Sequence, residues 1–224
     1  LLVLAQPFAS RMLPPRVARY FAWPAFLWMG TVFYLLISLG VTDVLQLLLG
    51  DGSLEAARTQ AIACALISGV AVAAGMANAL RTPGYRRIAV RIANWPESMN
   101  GFRIVQLSDI HIGAILRRGF AERITRAVNA LEADIVAITG DVVDGRVEHL
   151  ADDVAPFAEL SARHGVFFVT GNHEYYSGMK SWSHKLGELG LRRLDNERVP
   201  ISDGNGGLFE LAGVNDHMAD RISR

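Results

Sequence analysis

The chain has 224 residues, and its 22 basic side chains balance 22 acidic ones. A formal net charge of zero gives no basic face for nucleic acid, which shows as a domain-wide excess of Lys and Arg. The single cysteine, Cys64, excludes an intrachain disulfide and is expected to serve as a small apolar packing residue.

The opening residues Leu1-Leu2-Val3-Leu4-Ala5 contain no initiator Met and have the composition of the tail of an earlier span, so the sequence is expected to be a fragment. Residues 20–42 form an uncharged stretch of 23 positions and residues 59–80 one of 22. Both exceed the ~18 apolar residues that mark a membrane-spanning helix. Two transmembrane helices are therefore expected at about 20–42 and 59–80, inside a membrane region covering 1–85. Tyr20, Trp23 and Trp28 lie near one end of the first stretch, as an interfacial aromatic belt would. A cleaved signal sequence fits less well, because it has one short apolar core and a small-residue cleavage site. Gly69, Ala73 and Ala77, four residues apart, allow close helix–helix approach in lipid, expected as ordinary intramolecular packing rather than as a dimer contact. Arg11, Arg16 and Arg19 precede the first stretch and Arg81, Arg86, Arg87 and Arg91 follow the second, whereas the linker carries Asp43, Asp51, Glu55 and only Arg58. This Arg asymmetry predicts that the remainder of the chain faces the cytoplasm.

From residue 86 onward the pattern is that of an α/β domain. In 87–92, Ile88, Val90 and Ile92 alternate with Arg87, Ala89 and Arg91, which predicts a half-exposed strand ended by Asn94 and Pro96. Apolar runs at 102–108, 134–139 and 165–170 predict buried strands. Between them, Phe120, Ile124, Val128 and Leu131, and then Leu150, Val154, Phe157 and Leu160, recur at helical spacing. A shorter helix is expected over 181–189, and two strands at 199–201 and 208–214 across the Gly-rich turn 202–207.

Each of the three apolar runs ends in a polar motif: Asp109-Ile110-His111, Gly140-Asp141-Val142-Val143-Asp144 and Gly171-Asn172-His173-Glu174. Asp141 follows Asp109 by 32 residues and Asn172 follows Asp141 by 31, an interval that suits one strand–helix–strand unit. The motifs should therefore meet at one edge of one sheet, where open α/β sheets place their ligands. Asp, His and Asn at strand ends are the donors a protein needs to hold two divalent metals in one cleft. His149, His164 and His184 are expected at helical surface positions, and His217 is not expected to bind metal. Arg117 and Arg118 are expected to be solvated helix-start charges rather than phosphate contacts.

In this order, D-x-H, G-D-x-x-D and G-N-H-E resemble the calcineurin-like metallophosphoesterase superfamily, and the flanking text GFRIVQLSDIHIG resembles its membrane-associated bacterial branch. The resemblance runs from about residue 86 to the end of the chain. It implies a two-sheet sandwich flanked by helices, here preceded by two transmembrane helices, with 86–224 as the N-terminal portion of the phosphoesterase domain. It implies that Asp109 and His111 bind the first of two divalent metal ions, that Asp141 bridges both, and that Asn172 binds the second through its amide oxygen. Oxygen and imidazole donors suit Mn, Fe or Zn. His173 would lie beside the metals, stabilising phosphoryl charge or donating a proton to the leaving oxygen. Asp144 and Glu174 would orient imidazole or backbone groups, with solvated loop charges as the other reading. The superfamily supplies further ligands downstream, a lone His and a Gly-His-x-His, which do not occur before Arg224.

The implied function is a membrane-anchored dinuclear phosphoesterase that cleaves a phosphate mono- or diester with metal-activated hydroxide. Two cations roughly 3.5–4 Å apart would neutralise the phosphoryl oxygens and lower the pKa of a bound water. The spans make the lipid bilayer a partner and favour an amphiphilic, lipid-linked substrate, and the resemblance to a bacterial branch implies a bacterial inner membrane. The alternative is a catalytically inactive membrane protein that keeps the fold as an interaction or sensing module. Five polar groups at one sheet edge argue against it, since a scaffold has no need of them.

Overall fold

The computed structural model describes residues 13–49 and 53–217. The opening residues 1–5, Arg11, Asp51 and residues 218–224, on which some of the expectations above rest, lie outside them. The described chain forms two compact units, Arg16–Arg81 and, with Leu13–Pro15, the residues from Thr82 onward.

The first unit is a pair of long helices, α1 (Pro15–Leu49) and α2 (Leu54–Leu80), which enclose the two uncharged stretches. Each is long and apolar enough to cross a membrane, and only 11% of its most apolar window is buried. A core helix of a soluble domain would hide most of that surface. Ser53 starts α2 by accepting the Ala56 N–H at 3.1 Å. The two helices meet along a polar seam. Gln60 donates to Thr42 at 2.8 Å and to Asp43 at 2.6 Å, Thr42 lies 3.5 Å from the Cys64 sulfur, and Ser38 and Ser68 hydroxyls are 3.4 Å apart. Cys64 is thus a buried, hydrogen-bonded seam residue rather than a purely apolar filler. The stripe Gly69, Ala73, Ala77 does not form this contact. All three are exposed, and a Cβ on Gly69 would meet nothing within 4 Å. At 100° per residue they face away from Cys64 and Ser68, so among the described residues they do not make the expected intramolecular packing contact.

The second unit is built on a four-stranded parallel sheet: β1 (Ile104–Leu107), β2 (Ile135–Thr139), β3 (Val166–Val169) and β4 (Leu191–Arg193), in spatial order β1-β2-β3-β4. The crossovers are α3 (Arg118–Asn129), then α4 (Val147–Val154), then the pair α5 (Asn172–Ser177) and α6 (Met179–Glu188). An antiparallel hairpin, β5 (Glu197–Ser202) and β6 (Leu208–Gly213), follows. Period-two alternation splits the sheet residues between two cores. Val136, Ile138, Val166 and Phe168 face the helices, packing with Phe120, Ile124, Val128, Leu150, Phe157, Trp182 and Leu186. Ile135 and Phe167 face the hairpin, packing with Leu194, Val199 and Ile201. The result is the expected layered α/β sandwich.

Some elements differ from their sequence-based expectation. β1 is not buried: it is an edge strand, and Ile104 is 50% exposed. Residues 87–92 form no strand, leaving Ile88 and Val90 exposed, because among the described residues no strand pairs with them. The second crossover helix stops at Val154 and tightens into a 3-10 turn at Ala155–Glu159, since Pro156 has no N–H to continue it. α5 and the three-residue β4 carry too little periodicity to be read in advance.

Candidate metal centre

β1, β2 and β3 run parallel, so the loops leaving their C-terminal ends lie side by side. The first two loops stay zipped beyond the strands. Asp109 N–H donates to the Gly140 carbonyl at 3.3 Å, His111 N–H to Asp141 at 3.0 Å, Ile112 N–H to Val142 at 2.8 Å, and Asp144 N–H back to Ile112 at 2.8 Å. Asp109, His111 and Asp141 all adopt left-handed backbone, with φ of 55°, 51° and 53°. For residues other than Gly this costs about 1–2 kcal/mol each, and the cross-loop bonds hold them there.

The second and third loops touch backbone to backbone. A Cβ on Gly140 would sit 2.6 Å from the Gly171 nitrogen, and one on Gly171 would sit 2.2 Å from the Asp141 carboxylate. Only glycines allow this approach. His173 N–H donates to Asp141 Oδ1 at 2.9 Å.

The predicted site residues therefore converge. One donor atom each from Asp109, His111 and Asp141 lie within 4.8 Å of one another, and so do those of His111, Asp144 and His173. His111 Nε2 is 3.9 Å from Asp109 Oδ1, while its Nδ1 is 3.0 Å from Asp144 Oδ1. His173 Nδ1 hydrogen-bonds the same Asp144 oxygen, and the two imidazole rings stand edge to face at 4.6 Å. The Asp144 hydrogen bond holds the His111 imidazole above its usual pKa, against the effect of burial. Burial opposes ionisation of Asp144, but its bonds and charge interactions with His111 and His173 outweigh it and keep the carboxyl below its usual range.

Asn172 lies against Asp141. With its nitrogen on that side the amide donates to both Asp141 oxygens, at 3.1 and 3.2 Å. Turned by half a rotation it offers its oxygen at the same point, giving a cation an oxygen from each residue. The donor set thus fits a first divalent cation at Asp109, His111 and Asp141, with mixed oxygen and imidazole donors suited to first-row metals. For a second cation the described residues bring together Asp141 and Asn172, fewer than the roughly four ligands such ions take.

Among the supporting residues, Asp144 and Glu174 take the orienting roles expected of them, on imidazole and on backbone, whereas Trp182 went unread and Arg117 was read otherwise. Glu174, which could have been a solvated loop charge, is 1% exposed and accepts four backbone N–H groups. Burial pushes its carboxyl up in pKa, opposed by those same donors. Trp182 is fully buried and donates to the Gly145 carbonyl at 2.8 Å, bracing the second loop from behind. Arg117 is not a solvated charge: it pairs with the buried Asp153 at 2.7 Å, and Asp153 also accepts the Arg118 N–H at 3.0 Å, capping α3 from α4. No spacing rule announces which loop an indole or a carboxylate on another element will reach. His164 lies in the turn before β3, stacked on Phe102 at 5.5 Å, and not on a helix. His149 is on α4, and His184 and His217 are exposed.

Comparisons with known proteins agree with this geometry. A bovine (Bos taurus) protein named "Transmembrane protein with metallophosphoesterase domain" is 39% identical over 75% of this chain and 40% of its own length. Its namesake in Danio rerio is 33% identical over 70% of this chain and 37% of its own. A Helicobacter pylori protein named "Uncharacterized metallophosphoesterase" is 39% identical over 52% of this chain and 30% of its own. The chain thus spans about 40% or less of the length of these relatives. No solved structure matches it. The profile described as "Calcineurin-like phosphoesterase" matches residues 102–222, more than half of the sequence and all three motifs, and the chain belongs to that family.

Proposed function

We propose that this chain is part of a membrane-anchored, metal-dependent phosphoesterase that hydrolyses a phosphate mono- or diester. The observation that carries the reading is the convergence of Asp109, His111 and Asp141 at one sheet edge, with His173 beside them. Asp109 and His111 would hold one divalent cation, Asp141 would reach both, and Asn172 would serve the second, with Mn, Fe or Zn as candidates. When bound, the cations supply neutralisation of phosphoryl charge and acidification of a water.

The chain's own groups do the rest. Asp144 holds His111 by Nδ1, which aims Nε2 at the cation position beside Asp109. The same Asp144 oxygen holds His173 by Nδ1 and fixes that ring, leaving Nε2 to stabilise the phosphoryl group or protonate the leaving oxygen. Anchoring by α1 and α2 brings lipid-linked phosphates to the cleft at high local concentration, so we assign an amphiphilic substrate. The Arg excess flanking the two apolar helices supports a cytoplasmic position for the catalytic unit, and the division between compact units after Arg81 supports a domain boundary near residue 85.

The test is hydrolysis of chromogenic phosphate mono- and diesters, and of a lipid phosphate in mixed micelles, by the full-length protein with Mn²⁺ or chelator. Metal-dependent turnover is expected, with loss of about 10²–10⁴-fold in His173→Ala and no measurable activity in Asp141→Asn. Good turnover of soluble esters alone would reject the lipid substrate. Absence of turnover with any metal by a folded, full-length protein would instead favour a non-catalytic interaction module. The one feature that speaks for that module is the short donor set for the second cation.

A further inference from the structure

Tyr176 lies on α5 three residues beyond His173, a spacing that puts both on one face of the helix. Their rings meet edge to face, with centroids 5.8 Å apart and planes at 68°. His173 in turn stands 4.6 Å from His111, so a chain of ring contacts begins at the cation position and ends at Tyr176. Tyr176 is 44% exposed. From Trp95 onward every other described Phe, Tyr or Trp side chain is buried or half-buried. The neighbouring Tyr175 is half-buried, and its hydroxyl oxygen accepts from Thr170 at 3.2 Å. Leaving a ring in water forgoes about 25 cal/mol for each Å² that burial would cover. A scattered exposed apolar side chain needs no explanation. One in contact with the histidine at the reacting centre does.

In an in-line displacement the attacking and leaving oxygens lie on opposite sides of phosphorus. With His173 at the leaving oxygen, its outer neighbour Tyr176 is the next group that the body of the leaving alcohol meets. We infer that Tyr176 is a specificity residue, its exposed ring a platform on which an apolar leaving group stacks. This rests on the reading of His173 as the group beside the leaving oxygen. It deepens the amphiphilic substrate proposed above by putting the apolar body on the leaving side of the scissile bond rather than on the phosphoryl side. The contact belongs to the ring face and not to the hydroxyl, because a π face is what stacks.

The test compares two esters with the same phosphoryl end, one with a 1-naphthyl and one with a 2-hydroxyethyl leaving group. The full-length protein in detergent cleaves them with Mn²⁺, and referring each variant to wild type cancels their intrinsic difference in reactivity. Tyr176→Ala is expected to lower the naphthyl-to-hydroxyethyl ratio of kcat/KM about two- to tenfold, the worth of one aromatic pair, with the loss in the KM of the naphthyl ester. Tyr176→Gln, a good helix former without a ring, should do the same, and Tyr176→Phe should keep the wild-type ratio. A readout without turnover is the calorimetric preference for 1-naphthylmethylphosphonate over methylphosphonate, which should fall by a similar factor in Tyr176→Ala. Unchanged preferences in folded Ala and Gln variants overturn the assignment while the phosphoesterase reading stands. Equal losses on both esters also overturn it, because Tyr176 would then only brace His173. A Tyr176→Phe ratio as low as that of Tyr176→Ala moves the contact to the hydroxyl and overturns the platform. No turnover of either ester by the wild type overturns the phosphoesterase reading and this one with it.

Discussion

Asp141 shows how many constraints one ligand position gathers. Its backbone is left-handed, its N–H is taken by Glu174, its carboxylate accepts the His173 N–H, and Gly171 presses against it without a side chain. Gly171→Ala places a methyl carbon 2.2 Å from the Asp141 carboxylate oxygen and 2.6 Å from its nitrogen. No rotamer relieves the backbone part of that clash, so the loops must separate. We expect a loss of about 1–3 kcal/mol of stability, as for other overpacking changes, together with weakened Mn²⁺ binding. Urea unfolding and calorimetry read the two effects, and a variant with unchanged values of both would refute the contact. The ligand identities were legible from Asp-x-His, Gly-Asp and Gly-Asn-His at strand ends. The orienting roles of Asp144 and Glu174 were legible from the same motifs, but those of Trp182 and Asp153 were not, because they act across 37 and 35 residues.

Among the elements, β2 and β3 are buried on both faces, between the helix layer and the hairpin, and their runs of Ile, Val and Phe announced them. β1 leads into the first motif yet is, among the described residues, an edge strand. Residues 87–92 have a strand's alternation without a ladder, since alternation reports which faces are apolar and a strand needs a neighbour to complete its hydrogen bonds. That segment gives a test of exposure and topology together. Trypsin added to the cytoplasmic side of sealed membranes should cut after Arg86, Arg87 or Arg91 before any site in the α/β unit. Cutting there only from the opposite side would reverse the proposed orientation. Resistance from both sides, with the membrane opened, would show that another segment of the full-length protein covers these residues.

At the scale of the whole molecule, zero net charge conceals two units of different solubility, one made of apolar helices and one carrying the ligand cluster. Metal should stabilise only the second. With Mn²⁺ at about a hundred times its dissociation constant, ligand linkage adds about 2.7 kcal/mol to the unfolding free energy of that unit. A chelator should abolish the gain, and an unfolding temperature indifferent to Mn²⁺ and chelator would contradict a resident cation. By itself the sequence determined the two long apolar helices, the strand–helix alternation and the three motifs, because hydrophobic periodicity and local residue chemistry are properties of neighbouring positions. Only the tertiary structure decided that Asp144 serves both His111 and His173, that Glu174 ties two loops together, and that the helix seam runs through Gln60, Cys64 and Ser68 rather than Gly69, Ala73 and Ala77. Those outcomes depend on which distant groups the fold brings within about 3 Å, the range in which hydrogen bonds form, and spacing along a chain does not encode that distance.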